Sequence, residues 1–330
     1  MQFDRRHFIA STAAAGMLVA CGQTVGQAAT AGSIVGKKKV LFDTDIGSDI
    51  DDAIALTYLL AQPRCELMGI TTVSGEPVKR AEMASAICRA AGRPDIPVFP
   101  GTPAPLVGAQ RQPLVPQYAA MGGHSHETKF AEGEAIEFMR RTIRAHPGEI
   151  TLLAVGPMTN VALLFRTDPE IPRLLKEVVL MCGKFGAKKI SWGEMEWNAT
   201  CDPEATAIVY RSTPPSLRSY GLDVTIQVTM AREEVAKRFS RDPRLRLVLD
   251  FAQVWFAKQD KIYFHDPLAA MSVFVPEICG MERGTVTVDL KDGLEKGRTF
   301  WQPGVAGRQE VAATVDAGRF FAEYFGAFGA

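Results

Sequence analysis

The sequence has no excess of either charge: Lys plus Arg and Asp plus Glu both number 37 among 330 residues, for a formal net charge of +0. A chain without a basic footprint is a poor candidate for nucleic acid or anionic lipid, and a small ligand is the better expectation. Cysteine is sparse and badly spaced for chemistry. The six are Cys21, Cys65, Cys88, Cys182, Cys201 and Cys279. With no Cys-x-x-Cys pair they argue against structural zinc and a thioredoxin-like redox pair, and most are expected as small buried hydrophobes. After the first 33 residues there is no transmembrane candidate, no Ser/Gly-rich linker and no repeat of fixed period. With 47% hydrophobic and 22% charged residues, disorder, collagen and coiled coil are excluded as well.

Residues 1–33 read as an export signal and linker. Arg5-Arg6 precede Phe8-Ile9 and an Ala-rich apolar run to Val19, a pattern that resembles a twin-arginine signal, with Asp4 where Ser or Thr is usual. Leu18-Val19-Ala20-Cys21 resembles a lipobox, which makes Cys21 a candidate lipid anchor. Ala29-Thr30-Ala31 is a rival cleavage site. The chain is therefore expected to be exported, either periplasmic or held at the membrane as a lipoprotein.

From residue 37 to 330 the pattern is that of a single domain with a βα rhythm. Strands are expected at 40–42, 67–73, 96–99, 150–155 and 178–181, and helices at 51–60, 78–91, 134–146, 160–166, 203–211 and 244–259. A late strand at 285–290 is expected on one edge. This predicts an α/β fold with a mostly parallel open sheet, helices on both faces and a Rossmann-like core. The stretch 101–128 is a long Pro/Gly-containing loop, a candidate lid or binding loop.

The chemistry is concentrated after the first strand. Asp43-Thr44-Asp45-Ile46-Gly47-Ser48-Asp49-Ile50-Asp51-Asp52 packs five carboxylates into ten residues. In an open parallel sheet the C-terminal strand ends form the ligand crevice. Crowded carboxylates call for a cation, and oxygen donors select a hard one such as Ca²⁺ or Mg²⁺. An EF-hand is excluded, because counting from Asp43 or Asp45 puts neither Gly at the sixth position nor Glu at the twelfth. A haloacid-dehalogenase-like phosphatase also begins strand-Asp-x-Asp, but here Ile46-Gly47-Ser48 follows. The bland alternative, a solvated turn with Asp caps, sits badly with Ile46 and Ile50.

The run Asp43-Thr44-Asp45-x-Gly-x-x-x-Asp51-Asp52-Ala53 resembles the N-terminal signature of the inosine-uridine preferring nucleoside hydrolase family, in a variant with two extra residues. Similar motifs follow in the family's order: Thr71-Thr72-Val73-Ser74-Gly75, Val155-Gly156-Pro157-Met158-Thr159-Asn160, Glu196-Trp197-Asn198 before Asp202-Pro203-Glu204-Ala205, and His265-Asp266-Pro267-Leu268-Ala269. The resemblance implies Ca²⁺-dependent hydrolysis of ribonucleosides to free base and ribose. It implies that Asp45, Asp52, Asp266 and the Val155 carbonyl hold the Ca²⁺, that Asp45 is also the base toward the attacking water, and that Asp51 and Asn198 hold the ribose diol. Glu196 falls to the 5′-hydroxyl, Trp197 to the pocket wall, and His265 to proton donation to the departing base or packing over it. It also implies a homo-oligomer.

Asp49 and the Thr159-Asn160 pair are expected to cap helices. His124 and His126, and the aromatic residues Trp192, Trp255 and Tyr263, are further candidates for the substrate side. Where many members carry Asn, this chain has Glu76 and Ile190, which puts the grip on the 5′-hydroxyl in question. Hydrolysis of another N-riboside, or exported binding of a nucleoside or sugar without catalysis, are the alternatives.

Overall fold

The computed structural model describes residues 36–186, 190 and 193–329. The leader with Cys21, and Trp192, lie outside the described residues. Eleven strands are present among those described: β1 (Lys38–Thr44), β2 (Cys65–Thr72), β3 (Val98–Pro100), β4 (Ile150–Ala154), β5 (Glu177–Leu180), β6 (Leu217–Ser219), β7 (Thr229–Ala231), β8 (Lys261–Tyr263), β9 (Cys279–Val288), β10 (Thr299–Pro303) and β11 (Gln309–Val315). Nine form one sheet in the order β10-β9-β11-β6-β5-β4-β1-β2-β3, and β7 and β8 pair separately.

From β3 across to β11 every neighbour is parallel, while β9 pairs antiparallel with both β11 and β10. The expected mostly parallel α/β sheet is what the chain forms. Its late strand is longer than expected and is not the edge, because β10 folds back onto β9 from outside and becomes the edge itself.

Why these residues make strands is visible in β1. Val40 and Phe42 enter the apolar cluster on one face, and Leu41 enters the cluster on the other. Alternate side chains of a strand point to opposite faces, so a strand buried on both sides must be apolar throughout. Each such side chain contributes about 1.5–3 kcal/mol on burial. Helices α1 (Asp51–Ala61) and α2 (Pro77–Ala90) pack into the first cluster, α3 (Ala135–Ala145) and α4 (Thr159–Thr167) into the second. No helix among the described residues is long and apolar enough to cross a membrane.

The topology positions the site. After β1 the chain moves one way through β2 and β3, then returns to lay β4 on the other side of β1 and continues to β5 and β6. The C-terminal ends of β1 and β4 therefore flank a topological switch point, where an open α/β sheet leaves a crevice.

Candidate active site

A cavity of about 530 Å³ opens at that switch point, lined among others by Asp45, Asp49, Asp51, Asp52, Gln112, Val155, Glu196, Trp197, Asn198, His265 and Asp266. The residues that the family resemblance assigns to metal, sugar and base thus meet in one place. Asp45 follows the end of β1, and Val155 follows β4, its amide donating to the Asp43 carbonyl at 2.9 Å. Asp51 and Asp52 form the first turn of α1, Glu196 precedes the short helix Trp197–Cys201, and His265-Asp266 open the helix His265–Ser272. Helix N-termini carry unpaired N–H groups and partial positive charge, which favours carboxylates there.

The carboxylates are deeply buried: Asp45, Asp51, Asp52 and Asp266 are all 6% exposed or less. Burial first, then mutual repulsion, pushes Asp51, Asp52 and Asp266 well above the ordinary carboxylate range. Asp45 is raised too, by burial, with Arg80 opposing. The fully buried Arg80 is a cation that acts on Asp45 and Asp52. It donates to the carbonyls of Asp45, Ile46 (2.9 Å) and Ser74 (2.8 Å), and to Ser48 Oγ (3.0 Å).

One guanidinium cannot neutralise the group. Carboxylate oxygens of Asp51, Asp52 and Asp266 lie within 4.8 Å of one another, a spacing that could hold a metal ion. The donor set is all oxygen, which suits a hard divalent cation. Asp51, assigned by resemblance to the ribose diol, stands in this triplet. Asp45 adjoins it, with Oδ2 engaged by the Gln112 amide, and Asp52 Oδ1 accepts from Thr44 Oγ1. The Val155 carbonyl accepts from Asn198 Nδ2 at 2.6 Å.

Glu196 is held firmly. Its two oxygens accept the backbone N–H of Gly183 (3.0 Å), Asn198 (2.7 Å) and Ala199 (2.9 Å), so it caps the helix as well as facing the cavity. Trp197 is 49% exposed on the cavity wall, with the Arg111 guanidinium 5.5 Å from its ring centre. His265 Nδ1 lies 2.7 Å from Thr225 Oγ1, and the ring stacks on Tyr263 at 5.5 Å. Burial pushes His265 down to about 3, so the ring is neutral at physiological pH.

The residues expected to cap helices make other contacts. Asn160 caps no helix. Its Nδ2 donates to Asp43 Oδ1 (2.7 Å) and the Thr72 carbonyl (3.0 Å), while its Oδ1 accepts from the Thr102 amide (2.9 Å), tying β1, β2 and the following loop together. Thr159 donates to Asp202 Oδ2 at 2.7 Å instead of capping. Asp49 is not the residue flanking α1, which is Ile50, though Asp49 Oδ1 accepts the Ile50 amide at 2.5 Å.

His124 pairs with Asp250 at 3.2 Å, His126 Nδ1 lies 2.7 Å from the His124 carbonyl, and neither lines the cavity. Trp255 donates to the Lys261 carbonyl at 2.8 Å and packs against the core. Glu76 pairs with Lys79, and Ile190 bridges Gly193; neither reaches the cavity. Arg80 and Gln112 were missed by sequence reasoning. Their only signal was position, Arg80 in α2 and Gln112 in the long loop.

A parallel-sheet crevice lined by cation-seeking carboxylates, an aromatic wall and sugar-sized polar groups defines an α/β enzyme built for a small polyhydroxylated ligand. The chain belongs to the inosine-uridine preferring nucleoside hydrolase family, whose sequence model matches residues 40–322, and is accordingly an N-glycosyl hydrolase. It is 32% identical to the inosine-uridine preferring nucleoside hydrolase of Leishmania major over 302 residues, 86% of this chain and 95% of that one. Uridine nucleosidase 1 of Arabidopsis thaliana is 30% identical over 291 residues, covering 83% and 85%. Among solved structures, the purine-preferring ribonucleoside hydrolase from Gardnerella vaginalis superimposes with a TM-score of 0.75 at 26% identity, covering 88% of this chain and 98% of that one.

Proposed function

We propose that this protein is a Ca²⁺-dependent ribonucleoside hydrolase that cleaves the N-glycosidic bond to give free base and ribose. The observation that carries the reading is the buried Asp51, Asp52 and Asp266 triplet beside Asp45 in an aromatic-walled cavity. Asp45, Asp52, Asp266 and the Val155 carbonyl would hold the cation, and Asp51, whose carboxylate stands with those of Asp52 and Asp266, would share in it. When bound, Ca²⁺ neutralises the cluster, acidifies water and fixes the sugar hydroxyls. The names of the relatives differ in the base they specify, so the proposal stops at ribonucleosides.

The chain's own groups divide the work. Asp45 takes the proton from the attacking water, and the Gln112 amide on its Oδ2 limits its rotation. Asn198 and Asp51 orient the ribose diol, which places the anomeric carbon and lowers the entropic barrier. Glu196, pinned by three backbone donors, presents its carboxylate edge to the 5′-hydroxyl. Trp197 offers its face to the base, an interaction worth roughly 1–3 kcal/mol. His265, neutral and stacked on Tyr263, packs at the base end of the cavity.

The test is direct. Mature protein, supplied with Ca²⁺ and a panel of ribonucleosides, should release free ribose; exhaustive chelation should abolish turnover and Ca²⁺ restore it. Asp45→Asn should lose at least about 10²-fold in kcat, on the scale of a positioned base, while keeping cation affinity in part. Full turnover in metal-free protein would overturn the mechanism. Tight nucleoside binding with no ribose released would favour an exported binding protein instead. Export itself is proposed from the twin-arginine leader, and it is compatible with five buried, free thiols, Cys65, Cys88, Cys182, Cys201 and Cys279.

A further inference from the structure

Gln112 sits in the long loop 101–128, yet it is buried in the cavity wall, 8% exposed. It makes two directional contacts with groups of different function. Its Nε2 donates to Asp45 Oδ2, and its Oε1 accepts the Trp197 indole N–H at 2.6 Å. The loop fixes it from behind, the Gln112 backbone N–H donating to Gln110 Oε1 at 2.7 Å and the neighbouring Arg111 Nη1 donating to the Thr200 carbonyl at 3.2 Å. A side-chain amide carries both a donor for a carboxylate and an acceptor for an indole, so one group serves the two contacts at once.

We infer that Gln112 is a positioning residue that couples the aromatic wall to the base: by holding Asp45 and Trp197 in one arrangement, it lets a nucleobase seated on Trp197 secure the orientation of Asp45 toward the attacking water. The inference rests on the roles proposed above for Asp45 and Trp197. Its chemical content is narrow. If Trp197 is displaced, Gln112 loses the acceptor contact that sets its amide plane, and the N–H bond to Asp45 weakens with it. A substrate that fills the wall is thereby favoured in turnover as well as in binding, which is a specificity device located on a loop.

Three substitutions separate this from a structural role. Gln112→Leu removes both contacts and puts no charge beside Asp45. Gln112→Met keeps the volume and removes both contacts, and Trp197→Phe keeps the wall but removes the indole donor. With a ribonucleoside that wild type turns over, Gln112→Leu and Gln112→Met should each lower kcat by on the order of 10–100-fold, with KM changed by less than about threefold, since orientation in the transition state is lost and ground-state binding is not.

Ca²⁺ affinity by calorimetry and Trp fluorescence of the free enzyme report whether the site is intact, and the affinity should stay within about threefold of wild type. Trp197→Phe should lower kcat less, and its loss should not add to that of Gln112→Met, because both break the same chain. Wild-type kcat in Gln112→Leu would overturn the inference, as would equal loss of kcat and Ca²⁺ affinity, or fully additive losses. Asp45→Asn tells the failures apart. If it retains wild-type turnover, the role of Asp45 falls; if it is inactive while Gln112→Leu is normal, only the coupling falls.

Discussion

At the scale of single residues, burial decides which groups can do what. Asp43 and Asp45 are two positions apart on the same strand end and both buried, but only Asp45 lines the cavity. Asp43 Oδ1 accepts from Asn160 and from Thr71, so that carboxylate is committed to the scaffold, and burial pushes it up to about 7. His265 is the sharper case. A group held down near 3 by desolvation carries almost no positive charge at neutral pH, which argues against a standing imidazolium acid and favours packing at the base end. His265→Ala should therefore slow an inosine-like ribonucleoside and p-nitrophenyl riboside by similar factors, on the order of 10-fold, and remove no limb of the pH–rate profile between about pH 5 and 8. The check compares both substrates in a variant shown to retain Ca²⁺. A loss of about 10²–10⁴-fold confined to the ribonucleoside would make His265 the proton donor after all. Residue identity was legible in the sequence here, since the His-Asp pair announced itself, but the protonation state was not, because it depends on how deeply the ring is buried.

At the scale of elements, the site is a convergence of ends: strand ends β1 and β4, and the first turns of α1, Trp197–Cys201 and His265–Ser272. The periodicity of apolar residues made β1, β2, β4 and β5 and their helices legible, and boundaries moved by only a few residues. What stayed hidden were contacts that no local pattern encodes. Asn160 reads as a cap by its place before a helix, yet it spends its amide bridging two strands and a loop. The late strand reads as an edge because the five residues of β10 are too few to announce a further partner, and pairing is a property of two segments. Gly156 shows how tightly the ends meet. A Cβ built there would stand 2.9 Å from both Asp45 N and Asp45 Oδ1 and 2.9 Å from Val73 Cγ1. Gly156→Ala should displace the Asp45 carboxylate, lowering kcat at least about 10-fold while costing roughly 1–3 kcal/mol of stability, the usual scale of overpacking. Paired kinetics and denaturant titration test this, and a variant with unchanged kcat would show that Asp45 tolerates the shift.

At the scale of the whole molecule, a core of apolar strands encloses a knot of carboxylates that the fold alone does not neutralise, so cation binding and folding are linked. Without a cation, burial raises Asp51, Asp52 and Asp266 above the unfolded value near 3.8. A raised pKa contributes stability that is fully present below 3.8 and is lost as pH rises toward the folded-state values, so these groups weaken the metal-free protein most at neutral and alkaline pH. His265 acts in the opposite sense: its folded pKa is depressed to about 3 from 6.5, so its contribution is present above 6.5 and lost as pH falls toward 3. Ca²⁺ competes with protons for the three carboxylates and stabilises the folded state by about 2.7 kcal/mol at a hundredfold excess over Kd. For a chain of this size that is a rise in Tm of roughly 4 °C. The expected result is a Ca²⁺-induced rise in Tm of that order at pH 8 that shrinks toward zero by about pH 4–5, where protons hold the site and affinity for the cation falls. Thermal unfolding of the mature protein with chelator and with Ca²⁺, across that pH range, measures it. Mg²⁺ at the same concentration should do less, because its demand for octahedral geometry and its reluctance to shed water suit a wide, deeply buried carboxylate site poorly. A Ca²⁺ effect that grew on acidification, or none at pH 8, would mean that the triplet is not where the cation binds.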